Sequence, residues 1–182
     1  DLGAHLVDQA LQLFGMPDDL LVDLALQRDG AQVNDYFHAQ LRYPGSQPGL
    51  RVILHGSALV PSVGPRFVVH GTLGSFIKYG LDVQEDALKA GGRPHWGHTA
   101  DWGRDPLAGQ ITTHTAEGAH TQSAPDVPGN YLAYYAQLAD CLQGRVPSPA
   151  VTAAQVEQAM RLLCAGSRSA ALGQWGVPAV SL

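Results

Sequence analysis

The chain has 182 residues, a length that predicts one domain burying roughly 70% of its unfolded surface, and 15% of its residues are charged against about 25% in an ordinary globular protein. Eleven basic residues against sixteen acidic ones, for a formal net charge of −5, leave no electrostatic footprint for phosphate backbones or an anionic membrane. No apolar run approaches the roughly 18 residues of a membrane span and no leader signature opens the chain, so a soluble, cytoplasmic protein without nucleic-acid or membrane partners is expected.

Apolar residues at Leu2, Leu6, Ala10, Leu13 and Phe14 predict a helix over 1–14, with Asp1 as its N-cap and Gly15, Met16 and Pro17 as its stop. From Leu20 to Leu73 the period changes to two. Leu20, Val22, Leu24 and Leu26 form one alternating set, followed by Phe37, Ala39, Leu41 and Tyr43, then Leu50, Val52 and Leu54, then Phe67 and Val69. The short turns between them imply an antiparallel meander. Residues 71–80 read as one more turn and strand, 84–90 as a short helix, and 93–106 as a long loop of the kind that often carries function. A Thr-rich hairpin follows at 110–115 and 119–123. Two helices close the chain, at 130–143 and from Thr152, where Gln155 three residues on completes a capping box and Val151 and Val156 are spaced for a hydrophobic staple. The expected class is α+β: a mainly antiparallel, open-faced sheet with helices packed on one face.

Cys141 and Cys164 sit among aliphatic residues at helical spacing and read as two reduced core thiols. Asp1 and His5 are four apart on one helix, so both reach one substrate, the imidazole as proton acceptor and the carboxylate as the group that orients it. Spacing alone favours the plainer reading of a capping aspartate and a solvated histidine. His95 and His98 lack a further ligand at zinc spacing, and no metal site is expected. Trp96 and Trp102 suit either an apolar wall against a sugar ring or the packing of the long loop onto the domain. A second parity set, Tyr36, His38, Gln40, Ile53, His55, Val68 and His70, is mixed and aromatic where a solvent face would carry Lys and Glu. That composition predicts a homo-oligomer interface through Tyr36, His38, Ile53, His55, Val68 and His70.

The segment Asp1-Leu2-Gly3-Ala4-His5-Leu6-Val7-Asp8 resembles the Asp-x-Gly-x-His-x-x-Asp opening of the C-terminal domain of the Gfo/Idh/MocA family of NAD(P)-dependent sugar and polyol dehydrogenases. The stretch from Gly71-Thr72-Leu73-Gly74-Ser75-Phe76-Ile77-Lys78 through Tyr79-Gly80-Leu81-Asp82-Val83-Gln84-Glu85-Asp86-Ala87-Leu88 is similar to a longer signature in the branch that includes NADP-dependent scyllo-inositol dehydrogenases. The resemblance runs through essentially all 182 residues. It implies a fold like the C-terminal domain of glyceraldehyde-3-phosphate dehydrogenase, with residues 1–182 forming the substrate-binding and oligomerisation domain.

The resemblance also implies roles: Asp1 and His5 bind substrate hydroxyls, with His5 as proton acceptor while hydride passes to the nicotinamide. Lys78, inside the second signature, is either a pocket residue or an exposed strand end. The family's N-terminal Rossmann domain, with its Gly-rich turn and catalytic lysine, is absent from this chain, since no Gly-x-Gly-x-x-Gly follows a strand. Asp1 in place of an initiator methionine reads as a piece of a longer protein. The fragment alone is therefore expected to bind no NAD or NADP and to turn nothing over. The rival expectation is a non-enzymatic homodimerising domain of the same architecture.

Overall fold

The computed structural model describes residues 3–95, 101–125, 127–174 and 177–178, which fall into two units, Asp1–Pro61 with Val151–Leu182, and Ser62–Ala150. In the first, helix α1 (Ala4–Phe14) buries Val7 and Ala10 and ends at Gly15, whose φ of +74° suits glycine. Its N-cap is Gly3 rather than Asp1, because the Gly3 carbonyl already accepts the first helical bond, from the Val7 amide at 2.9 Å. Three antiparallel strands follow as a meander, β1 (Asp19–Ala25), β2 (Tyr36–Arg42) and β3 (Arg51–Ser57). The register sets the aliphatic residues on one face, where Leu20, Val22, Phe37, Ala39, Leu41 and Leu54 are buried.

Helix α4 (Ala153–Leu172), from the far end of the chain, covers that face with a stripe of Leu162, Ala165, Gly166 and Ser169, an i, i+3, i+4, i+7 set. It opens with the expected capping box: Gln155 Oε1 accepts from the Thr152 amide at 2.8 Å while Thr152 Oγ1 accepts from the Gln155 amide. Val151 and Val156, spaced for a staple, are each half-exposed. Cys164, next to Ala165 in sequence, falls outside the buried stripe and is exposed, and Cys141 is only half-buried, so both thiols are free but neither is a core residue. A strand not anticipated from the sequence, β8 (Val177–Pro178), pairs with the outer edge of β1, giving the order β3-β2-β1-β8.

The second unit holds its own four-stranded antiparallel sheet, β4 (Phe67–Gly71), β5 (Gly74–Lys78), β6 (Gln110–Thr115) and β7 (Gly118–Ser123), in that order. A single sheet is what the alternation suggests; the ladder instead stops at β3, and the chain reaches β4 through residues 58–66, where Pro61 and Pro65 carry no amide hydrogen. Helix α2 (Gln84–Lys89) follows β5, and α3 (Tyr131–Leu142) follows β7, capped by Asn130 Oδ1 on the Ala133 amide. Among the described residues no helix is long and apolar enough to cross a membrane.

The β1–β2 connection is tied by Asp35, which is 2% exposed and whose carboxylate accepts from the amides of Gln27 and Arg28 at 2.7 and 3.1 Å and from Arg28 Nε at 2.8 Å. The Gln27 amide and the Arg28 side chain hold its pKa at about 2, from an ordinary 3.8. A carboxylate whose pKa is lower folded than unfolded stabilises the fold above the unfolded value and loses that effect as pH falls through the folded one. Acid unfolding followed by circular dichroism should therefore show a shallower decline between pH about 4 and about 2 in Asp35→Asn than in the parent chain.

Candidate functional site

Two candidate surfaces belong to the first unit. On α1, Val7 and Ala10 turn inward, which leaves His5 exposed in the first turn and Asp8, three residues on, exposed beside it. The pair sets an imidazole and a carboxylate within reach of one small molecule. Asp8 received no role from the sequence, although it closes the opening motif and its spacing from His5 was the available signal. Asp1, the other half of the expected acid–base pair, lies outside the described residues.

Beneath the helices, between α4 and the inner sheet face, runs an apolar cavity of about 200 Å³, bordered by Val7, Leu20, Val22, Phe37, Leu54 and Leu162 among others. Its lining carries no carboxylate, imidazole, ammonium or thiol, and its polar members are Asn34, Tyr36 and Ser167.

The second surface is the outer face of the β1-β2-β3 sheet, whose register arranges it in cross-strand rows: Asp19, Arg42 and Arg51; Leu21, Gln40 and Ile53; Asp23, His38 and His55; Ala25, Tyr36 and Ser57. Tyr36, His38, Ile53 and His55 thus share one face. Ile53 is 59% exposed, and the rings of Tyr36 and His38 flank that of His55 at 5.3 and 5.7 Å between centroids. The face is less free of charge than its parity set suggests, because Arg42 bonds Asp19 through two nitrogens, each at 2.6 Å. Val68 and His70 belong to the other sheet. There both are exposed, with His70 Nδ1 2.8 Å from Ser75 Oγ.

Lys78 ends β5 in the second unit, with its ammonium on the Asp105 carboxylate and, at 2.5 Å, on the Tyr79 carbonyl. Lys78 holds the Asp105 carboxyl below the usual carboxylate range, assisted by the Leu107 amide. Between them Gly80 takes a φ of +81°, and a Cβ there would stand 2.5 Å from Asp105 Oδ2, so only glycine fits. The ion pair ties the end of β5 to the end of the long loop. Gln84, fully buried, ties the same segment to α3: its Oε1 accepts from the Tyr131 amide at 2.9 Å and its Nε2 donates to Asp82. The Trp102 ring lies beside Gly92, just before the loop, whereas Trp96 and His98 lie outside the described residues. Among the described residues no three metal-ligating groups converge.

The model of the oxidoreductase family's C-terminal alpha/beta domain, Gfo/Idh/MocA, matches residues 1–178. The uncharacterized oxidoreductase YdgJ of Escherichia coli is 47% identical over 171 residues, covering 93% of this chain and 47% of YdgJ. The scyllo-inositol 2-dehydrogenase (NADP+) IolW of Bacillus subtilis is 40% identical over 171 residues, covering 93% of this chain and 46% of IolW. The solved structure of the Yersinia pestis protein YPO2259 superposes with a TM-score of 0.88 at 43% identity, covering 99% of this chain and 49% of that one. The chain spans about half the length of these relatives.

Proposed function

From the chain's place in the Gfo/Idh/MocA oxidoreductase family, to which it belongs as the C-terminal α/β domain, we propose that it is the substrate and oligomerisation half of an NAD(P)-dependent dehydrogenase. The substrate is a secondary alcohol of a sugar or of a cyclic, inositol-like polyol. The observation that carries this reading is His5, exposed in the first turn of α1 with Asp8 beside it, inside the opening motif. A relative named for scyllo-inositol and NADP+ supports the substrate class.

In this reading His5 takes the hydroxyl proton as the alcohol is oxidised, and Asp1 orients the hydroxyl by accepting a hydrogen bond from it. Trp96 offers an apolar wall to the ring, and Lys78 shapes the pocket by holding, through Asp105, the loop that carries that tryptophan. No dinucleotide seat is proposed at the glycines Gly71 and Gly74, since they close an antiparallel hairpin and lead into strand β5, whereas a pyrophosphate-binding turn leads directly into a helix. The nucleotide belongs to a Rossmann domain, for which the greater length of the relatives leaves room. No step of its chemistry is assigned to this chain. Self-association proceeds through the outer sheet face around Tyr36, His38, Ile53 and His55, with Val68 and His70 supplying a second exposed patch.

In the complete enzyme His5→Ala should slow the chemical step by roughly 10²- to 10⁴-fold while leaving the fold intact, since the side chain is exposed. Steady-state kinetics with an oxidisable polyol reads this, and an unchanged kcat removes His5 from the mechanism. Calorimetric titration of the 182-residue chain with NADH and NADPH should give no measurable heat of binding; micromolar affinity for either would place a nucleotide seat in this domain. Light scattering at neutral pH should return at least a dimer, and Ile53→Asp should shift it towards monomer by burying a charge in the contact. A parent chain that is monomeric at high concentration removes the interface.

A further inference from the structure

We propose that His38 and His55 form a two-imidazole chelate for a divalent cation of the zinc and nickel class, a site separate from the proton chemistry of His5. The two residues are direct partners in the β2–β3 register, and both are exposed. Their ring centroids stand 5.7 Å apart, with the ring planes inclined by 54°. A zinc ion held at about 2.1 Å by one nitrogen of each ring, at a tetrahedral angle, sets the ring centres about 5 Å apart. A small rotation of two exposed side chains closes that difference.

The hydrogen bonding points the same way. His55 Nδ1 lies 3.0 Å from the Phe37 carbonyl, an oxygen that can only accept, so Nδ1 carries the proton and Nε2 presents its lone pair. This arrangement, one ring nitrogen tied to a carbonyl and the other free, is how metal-ligating histidines are oriented. On the other side of His38, Asp23 of β1 is its direct register partner and exposed, which adds negative charge beside the pair. Tyr36 stands edge-on to His55 and restricts its ring. Since no third ligand converges among the described residues, water completes the coordination, and two imidazoles select zinc or nickel over magnesium and calcium. The site needs one copy of the chain only, but it lies on the face proposed for self-association, so its occupancy is read with that contact weakened as well as intact.

The test is calorimetric titration of the chain with ZnCl2 and NiCl2 near pH 7.5. The Ile53→Asp variant is titrated in parallel, so that a second copy on the same face cannot hide the site. The expected result is one site per chain that magnesium at millimolar concentration does not compete for. His38→Gln and His55→Gln should each weaken it by at least about tenfold, while His70→Gln and His120→Gln leave it unchanged. In a nuclear magnetic resonance titration the ring signals of His38 and His55 should shift together, a readout that does not depend on any variant folding. No binding by either the parent or Ile53→Asp would overturn the proposal, as would an affinity indifferent to both glutamine substitutions.

Discussion

How closely α4 can approach β1 decides the architecture of the first unit. At the crossing point the helix presents Gly166, where even a methyl group would stand 3.3 Å from a Val22 methyl, and Ala165, which is fully buried. One turn on, Ser169 Oγ accepts from the Val22 amide at 3.2 Å and donates to the Gln174 carbonyl, so one buried hydroxyl joins segments 147 residues apart. Small residues at the crossing let the aliphatic face of β1 and β2 be covered by one helix along its length. On α1, Val7 and Ala10 are buried and Leu6, Leu11 and Phe14 partly so, and the His5 side is left for solvent or substrate. The position of the candidate proton acceptor thus follows from packing on the opposite side of the same helix.

The two sides of the β1-β2-β3 sheet show how a period of two divides labour. Aliphatic residues on one parity lock the register, because a slip by a single residue would turn every one of them out to water. Once the register is locked, the other parity is free to carry chemistry, and cross-strand neighbours such as Asp23, His38 and His55 become fixed with respect to each other. The Arg42 and Asp19 pair at the end of the face adds a fork-like bond between β1 and β2, worth little in water-exposed settings but specific in geometry.

Local signals were legible in the sequence and non-local ones were not. Alternation located β1 to β5, and the Thr152 and Gln155 pair located the start of α4, because both are written in residues a few positions apart. The helix start at Gly3 was missed because a glycine cap has no side-chain signal, and the break between β3 and β4 because alternation reports strands rather than which strands bond. The two-residue β8 is too short for any period. For the candidate site, the motif drew attention to His5, yet Asp8 was passed over, and Asp105 is a partner of Lys78 that only folding brings across 27 residues. The pairing of His38 with His55 is likewise a property of the register, invisible until the strands are aligned. Helical spacing among aliphatic residues also does not say which side of a helix meets the core, and Cys164, though next to the buried Ala165 in sequence, is exposed.

The second unit, Ser62–Ala150, is inserted between the two segments of the first, and this has a bearing on biosynthesis. As the chain leaves the ribosome, α1 and the three-stranded meander emerge with their apolar face bare, and the helix that covers it arrives only after the whole insertion has been made. The inserted unit, whose strands bond only neighbours in sequence, has all its parts in hand earlier. The contact of Gly166 on Val22 therefore becomes available last, across an insertion whose own sheet takes no strand from outside it.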